Sequence, residues 1–172
     1  MSDLTKLPAR NKEGHVRVVV ETPRGATAKY KYEPKLQAFT LGRRLDPGLE
    51  YPYDWGFVPR TLGPDGDPLD AMILHEIATF PGMVVPCRPV AVLEVQQSEG
   101  ERTFRNDRVL FVPAKQAKPV APDAGQRRSL EAFFLGSVAG TGKKLEFLGW
   151  RGADRAEAEV DSAARRFHRK SG

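Results

Sequence analysis

The sequence predicts a mainly β protein with α: a mostly antiparallel β barrel followed by two helices. Three observations predict it. The chain carries 14 Pro and 16 Gly, spread along its length, and such frequent punctuation favours short strands over a helical bundle. Period-2 or β-branched runs recur from His15 to Val112. Helical spacing is confined to the last third, at Leu130, Phe133 and Phe134 and again from Ala156 to Phe167. At 172 residues the chain suits one domain, 1–172, with its own core.

The elements follow in order. Residues 15–21, His-Val-Arg-Val-Val-Val-Glu, form a β-rich run ended by Thr22-Pro23-Arg24-Gly25. Val16, Val18 and Val20 share one face; Val19 and Glu21 share the other. Residues 28–33 alternate as a second strand, with Lys29 and Lys31 opposite Tyr30 and Tyr32. Gln37 to Leu41 reads as a third. Residues 50–63 are aromatic and turn-rich, a composition that packs around a site or between strands. Ala71–Ile77 and Met83–Val95 read as longer strands, 96–107 as a polar hairpin tip, and Arg108–Val112 as the returning strand. Asp123 is placed to cap a helix whose apolar stripe is Leu130, Phe133 and Phe134, closed near Gly140–Gly142. Lys144–Leu148 is a short strand. A last helix over about 153–168 aligns Ala156, Val160, Ala163, Ala164 and Phe167.

Composition narrows the function classes. Met1 to Glu13 is polar and has no apolar core of a signal peptide. No apolar run reaches the roughly 18 residues that span a bilayer, so no membrane partner is expected. The lone Cys87 excludes an internal disulfide and points to a reducing cytoplasm. Cys87 lies in a strand-like run and reads as a buried small hydrophobe rather than a nucleophile. The net charge of +5 fits an anionic ligand or a merely soluble surface. The basic tail Arg165–Lys170 reads as a solvated helix end, with nucleic-acid binding as the alternative. His15, His75 and His168 lack ligand spacing and read as structural or surface residues.

The strongest functional signal is Asp65-Gly66-Asp67-Pro68-Leu69-Asp70. Gly66 permits a tight turn and Pro68 stiffens it. Three carboxylates held this close repel one another unless a cation is present, and magnesium takes oxygen ligands while keeping some water. Asp-Gly-Asp alone is also a common solvated turn; the following Pro-Leu-Asp and the flanking apolar strand favour the metal reading. An EF-hand is excluded, because Asp70 stands where that loop needs glycine.

This run resembles the signature of the soluble family I inorganic pyrophosphatases, and the resemblance extends over roughly residues 15–165. Val20-Glu21-Thr22-Pro23 resembles that family's first strand, and Ala28-Lys29-Tyr30 its substrate-binding lysine segment. Residues 51–59, Tyr-Pro-Tyr-Asp-Trp-Gly-Phe-Val-Pro, resemble its YPxNYGFIP stretch. Pro81-Gly82, Cys87–Leu93 and Leu148-Gly149-Trp150 resemble further segments. The resemblance implies a five-stranded OB-like barrel with helices, hydrolysing pyrophosphate to two phosphates with Mg²⁺. It implies Asp65 and Asp70 as metal ligands, Asp67 as the carboxylate that helps deprotonate the attacking water, and Glu21 acting on the metal through water. Lys29, Arg43, Tyr51 and Trp55 would bind the substrate. Bacterial members are often hexamers, so a homo-oligomer is expected as well.

The chain also departs from that family. Its motif D-x(4)-D-x-K is replaced: Gln97 stands at the first aspartate, Asn106 aligns with the second, and Arg108 takes the lysine position. Asp107 is the candidate that recovers a metal carboxylate if the register allows; Glu99 and Glu101 are substitutes on the tip. Lys31 replaces a glutamate, Trp55 a tyrosine, and Ser137-Val138 a Tyr-Lys pair. The remaining carboxylates suit one or two ions rather than three or four. Two alternatives stay open: a phosphohydrolase for another phosphate substrate, and a silent anion- or nucleic-acid-binding barrel, which the acidic loop disfavours.

Overall fold

The computed structural model describes residues 2–116 and 118–172. A 3₁₀ turn, Leu4–Lys6, precedes β1 (Val16–Thr22), β2 (Ala28–Glu33), β3 (Ala38–Arg44), β4 (Asp54–Val58) and β5 (Leu69–Ile73). Then come β6 (Val84–Glu99), β7 (Arg102–Arg105), β8 (Arg108–Pro113), α1 (Ala124–Val138), β9 (Lys143–Gly152) and α2 (Ala153–Ser171).

Strand pairing closes a ring. β1 pairs with β4, and β4 with β5, both antiparallel. β5 runs parallel to β8, which pairs antiparallel with β6. β6 returns to β1 and closes the circuit. Five strands thus form the ring, on the OB-like plan. β6, 16 residues long, reaches past the ring, and its far end carries β7 and β9. β2 and β3 make a separate antiparallel ribbon.

The alternation in β1 sets which side packs where. Val16, Val18 and Val20 join Ile73, Val92 and Phe111 in a core covered by Ala156, Val160 and Ala163 of α2. Val19, on the opposite face, packs with Phe57 and with Tyr32 of the ribbon. α1 brings Leu130, Phe133 and Phe134 onto Tyr51, Trp55, Leu93 and Leu110, a second core that floors the functional cleft. Gly56 has no substitute: a Cβ there would lie 1.8 Å from the Val19 carbonyl oxygen. Only glycine lets β4 lie this close to β1.

Several elements differ from the sequence reading. Residues 54–58, read as packing aromatics, are a fully buried ring strand, hydrophobic on both faces and therefore without alternation. The strand read over 71–77 is β5 and stops at Ile73, where Leu74 and His75 leave the sheet. The polar tip read over 96–107 is largely paired, with β6 running to Glu99 against β7. The short strand at 144–148 is ten residues long because β6 offers an edge along all of it. The cap at Asp123 is present: its side chain accepts the Gln126 N–H, and Gln126 reciprocates. Among the described residues no helix is long and apolar enough to cross a membrane.

Candidate active site

A cleft of about 390 Å³ opens between the acidic loop, the ribbon, the β6–β7 hairpin and the end of α1. The acidic loop joins β4 to β5. The Gly63 N–H donates to the Asp67 carbonyl at 2.7 Å, and the Gly66 N–H donates to the Gly63 carbonyl at 3.1 Å. Gly66 sits at φ +89°, a conformation that side chains resist. Asp65 Oδ1 accepts the Asp67 N–H at 3.1 Å, which fixes its carboxylate over the turn. α2 anchors the loop from behind: the Leu62 N–H donates to the Ala163 carbonyl at 3.0 Å, and Arg166 Nε donates to the Leu62 carbonyl at 2.8 Å. Asp70 is already part of β5, paired opposite Phe57.

Cations come from three other elements. Lys29 of β2, Arg43 of β3 and Lys143 of β9 all line the cleft. Arg43 is partly committed, since Nη1 donates to the Ser137 carbonyl at 2.9 Å and Nη2 to the Ala139 carbonyl at 2.6 Å. It thereby satisfies carbonyls left free at the end of α1. Lys143 pairs with Glu99 at 3.4 Å. Arg102 stacks its guanidinium over Phe104 at 4.7 Å from the ring centre. Tyr51 and Trp55 form the apolar floor, edge-on to Phe133 and Phe134 respectively. Burial raises the Tyr51 phenol far above its usual range, so it remains a hydroxyl donor.

The wall opposite the acidic loop is built from the replaced residues. Gln97 Oε1 accepts from Asn106 Nδ2 at 3.0 Å and from Arg108 Nη2 at 3.3 Å. Gln97 Nε2 donates to Glu99 Oε1 at 2.7 Å. Arg108 Nη1 donates to Asp70 Oδ2 at 3.0 Å and to the Asn106 carbonyl at 2.8 Å.

Electrostatics mark the acidic side as unsatisfied. Burial, then the charge of Asp70, raises the Asp65 carboxyl, against the Asp67 N–H that it accepts. Burial raises Asp70 too, with Arg108 and Lys29 pulling it back. Glu21 is pushed up to about 7, by burial first; the N–H of Tyr32, donated to it at 2.8 Å, offsets part of this. Asp67 is 61% exposed at its side chain, and among the described residues its carboxylate meets only Lys31, at 3.8 Å.

The expected residues therefore divide. Lys29, Arg43, Tyr51, Trp55, Asp65, Asp67 and Asp70 line the one cleft. Glu21 does not; it lies in an adjoining hollow of about 230 Å³ that shares Lys29, Trp55, Asp67 and Asp70 with the cleft. Asp107 lies outside the cleft, in an adjoining recess of about 190 Å³. Its Oδ1 accepts the Val95 N–H and Arg105 Nε, its Oδ2 accepts Arg105 Nη2 at 3.0 Å, and Arg155 stands at 3.7 Å. That recess, beneath α2, is also lined by Asp65 and Asp70, and Asn106 lines both it and the cleft. Lys143, near in sequence to the Ser137-Val138 replacement but on another element and so not expected at the site, lines the cleft; sequence reasoning missed Arg102, on the hairpin tip that reads as solvated.

Among the described residues no three His, Cys, Asp or Glu side chains converge on one point, so there is no closed protein cage. Asp65, Asp67 and Asp70 instead offer hard oxygens on the wall of an open cleft facing cationic side chains. That donor set fits a cation of the magnesium type, which takes one or two carboxylates and completes its shell with water and phosphate oxygens.

Comparison with known proteins agrees with this geometry. A family model for inorganic pyrophosphatase matches residues 18–168. The chain is 37% identical over 171 residues to the inorganic pyrophosphatase of Synechocystis sp., covering 96% of this chain and 99% of that one. The crystal structure of inorganic pyrophosphatase from Thermus thermophilus superposes with a TM-score of 0.87 at 33% identity, over 97% and 99% of the two chains. An inorganic pyrophosphatase structure from Coxiella burnetii gives 0.82 at 26%, over 94% and 99%. With its five-stranded ring, its acidic loop and this near-complete coverage, the chain belongs to the family I inorganic pyrophosphatases.

Proposed function

We propose that this protein hydrolyses inorganic pyrophosphate to two phosphates in a Mg²⁺-dependent reaction. The observation that carries it is a single cleft in which Asp65, Asp67 and Asp70 face Lys29, Arg43 and Lys143. Phosphoryl transfer needs positioning and charge neutralisation more than covalent chemistry. Lys29 and Lys143 supply point charges for phosphate oxygens, and Arg43 closes that side. Tyr51 would offer its hydroxyl to the substrate from the floor, and Trp55 with Phe133 and Phe134 would limit water behind it. Asp65 and Asp70 would hold the metal, with Glu21 acting through water from the adjoining hollow. When bound, the metal supplies Lewis-acid polarisation and lowers the pKa of water. Asp67, exposed and weakly paired, accepts the proton from the attacking water.

Phosphate release from magnesium pyrophosphate tests this reading. Turnover that EDTA abolishes and Mg²⁺ restores is expected; no release with Mg²⁺, Mn²⁺ or Zn²⁺ overturns it. We read residues 1–172 as one domain, since both helices pack on the same ring. The buried free thiol of Cys87 supports a cytoplasmic setting. Exposed Ile77 and Phe80 would be covered in a homo-oligomer, which sedimentation would reveal.

A further inference from the structure

Two cations touch the acidic residues, and they are held very differently. Lys31 approaches Asp67 at 3.8 Å with a side chain 57% exposed, a contact that solvent screens and a ligand displaces. Arg108 approaches Asp70 at 3.0 Å with a side chain 8% exposed. Its guanidinium is fixed from several sides: by Asp70, by Gln97 Oε1, by the Asn106 carbonyl, and by the rings of Trp55 and Phe134 at 5.6 and 5.9 Å. Its Nε is buried without a partner, so the group is locked in place although not fully satisfied. Around it stand the amides of Gln97 and Asn106, which add no negative charge to attract a second ion.

A buried guanidinium on Asp70 neutralises that carboxylate and repels any divalent cation that seeks the same oxygen. We propose that Arg108 is an internal counter-ion standing in for a divalent cation at Asp70. The substrate-free protein then takes metal on the Asp65 side alone. Asp70 opens to metal only when a phosphate oxygen offers the guanidinium another acceptor. Arg108 is thus a positioning residue that couples metal uptake at Asp70 to phosphate binding, and this rests on the acidic loop being the metal site.

The test is Mn²⁺ binding to the substrate-free protein, followed by the electron paramagnetic resonance of free Mn²⁺, with no turnover involved. Arg108→Gln is expected to tighten Mn²⁺ binding about tenfold or to add one equivalent. The gain should vanish in Asp70→Asn/Arg108→Gln. Inorganic phosphate should tighten Mn²⁺ binding more in the wild type than in Arg108→Gln, as reciprocal linkage requires. Unchanged or weaker Mn²⁺ binding in Arg108→Gln, or a gain that persists without Asp70, overturns the proposal. If Arg108→Gln does not fold, Arg108→Met serves: it removes the charge but keeps an apolar stem against Trp55 and Phe134, so the same gain is expected and its absence overturns the proposal. Pyrophosphate turnover by the wild type is scored separately, so failure of this inference leaves the proposed reaction standing.

Discussion

The cleft and the recess beneath α2 share a wall of Asp65, Asp70 and Asn106, yet the carboxylates on the α2 side of the recess come out opposite to those of the acidic loop. In the recess, Arg105 binds Asp107 through two nitrogens, and Glu159 accepts Arg155 and Arg166, each at 3.0 Å. Glu94 adds contacts to Arg105, Arg151 and Arg155. Each of these carboxylates has at least two cationic or hydrogen-bonding partners. In the cleft, Asp65 makes no ion pair among the described residues, Asp67 has one exposed lysine, and Asp70 has one arginine. A carboxylate that is fully paired holds structure together. One left short of partners keeps its capacity for a ligand. Ion-pair saturation, not the mere presence of Asp and Arg, separates scaffold from site.

Four substitutions would break or sharpen that contrast. Asp67→Asn should cut kcat by about 10³-fold while the thermal midpoint stays put; a fall below tenfold would remove Asp67 as the proton acceptor. Glu159→Ala strands two arginines and the tie from Arg166 to the acidic loop, and should cost about 3 kcal/mol in urea unfolding. An unchanged midpoint would mean the recess is decorative. Asp107→Asn should lower stability by about 2 kcal/mol, or ~5 °C in Tm, with turnover and Mn²⁺ affinity within about twofold of wild type. Lost metal affinity there would return Asp107 to the site.

The smallest effect concerns a fourth carboxylate, Asp54, whose side chain is 1% exposed and contacts His75 Nε2 at 2.5 Å. Burial opposes its charge, but hydrogen bonds from His75 and from the Arg24 N–H outweigh that and hold the carboxyl below its ordinary range. A depressed carboxyl stabilises the fold above its unfolded pKa, and the stabilisation fades as pH falls through the folded value. The stability gap between wild type and Asp54→Asn should therefore narrow below about pH 4. A gap constant from pH 7 to pH 3 would contradict the pairing.

Legibility followed the range of the interaction. Val16, Val18 and Val20 announced a half-buried strand because alternation is local, and Asp123 announced a helix start because a cap needs only three residues. β4 was hidden because both its faces are buried, and the length of β9 because only β6 lends it an edge. The acidic loop was legible as a run of six residues. That Lys143 and Arg102 join it was not, since β9 and the hairpin tip meet the loop only after the ring closes.

By itself the sequence determined the strand-rich class, the two helices, the acidic loop and the family resemblance, all written in short-range spacing. Tertiary structure decided which charges remain available. Asp107 and Arg108 are neighbours in sequence, Asp107 in the link before β8 and Arg108 at its first residue, yet their side chains find different partners. One is tied into the scaffold by Arg105, and the other locks onto Asp70 across the cleft. Which carboxylates are free is a property of partners brought from distant elements, and no spacing along the chain contains it.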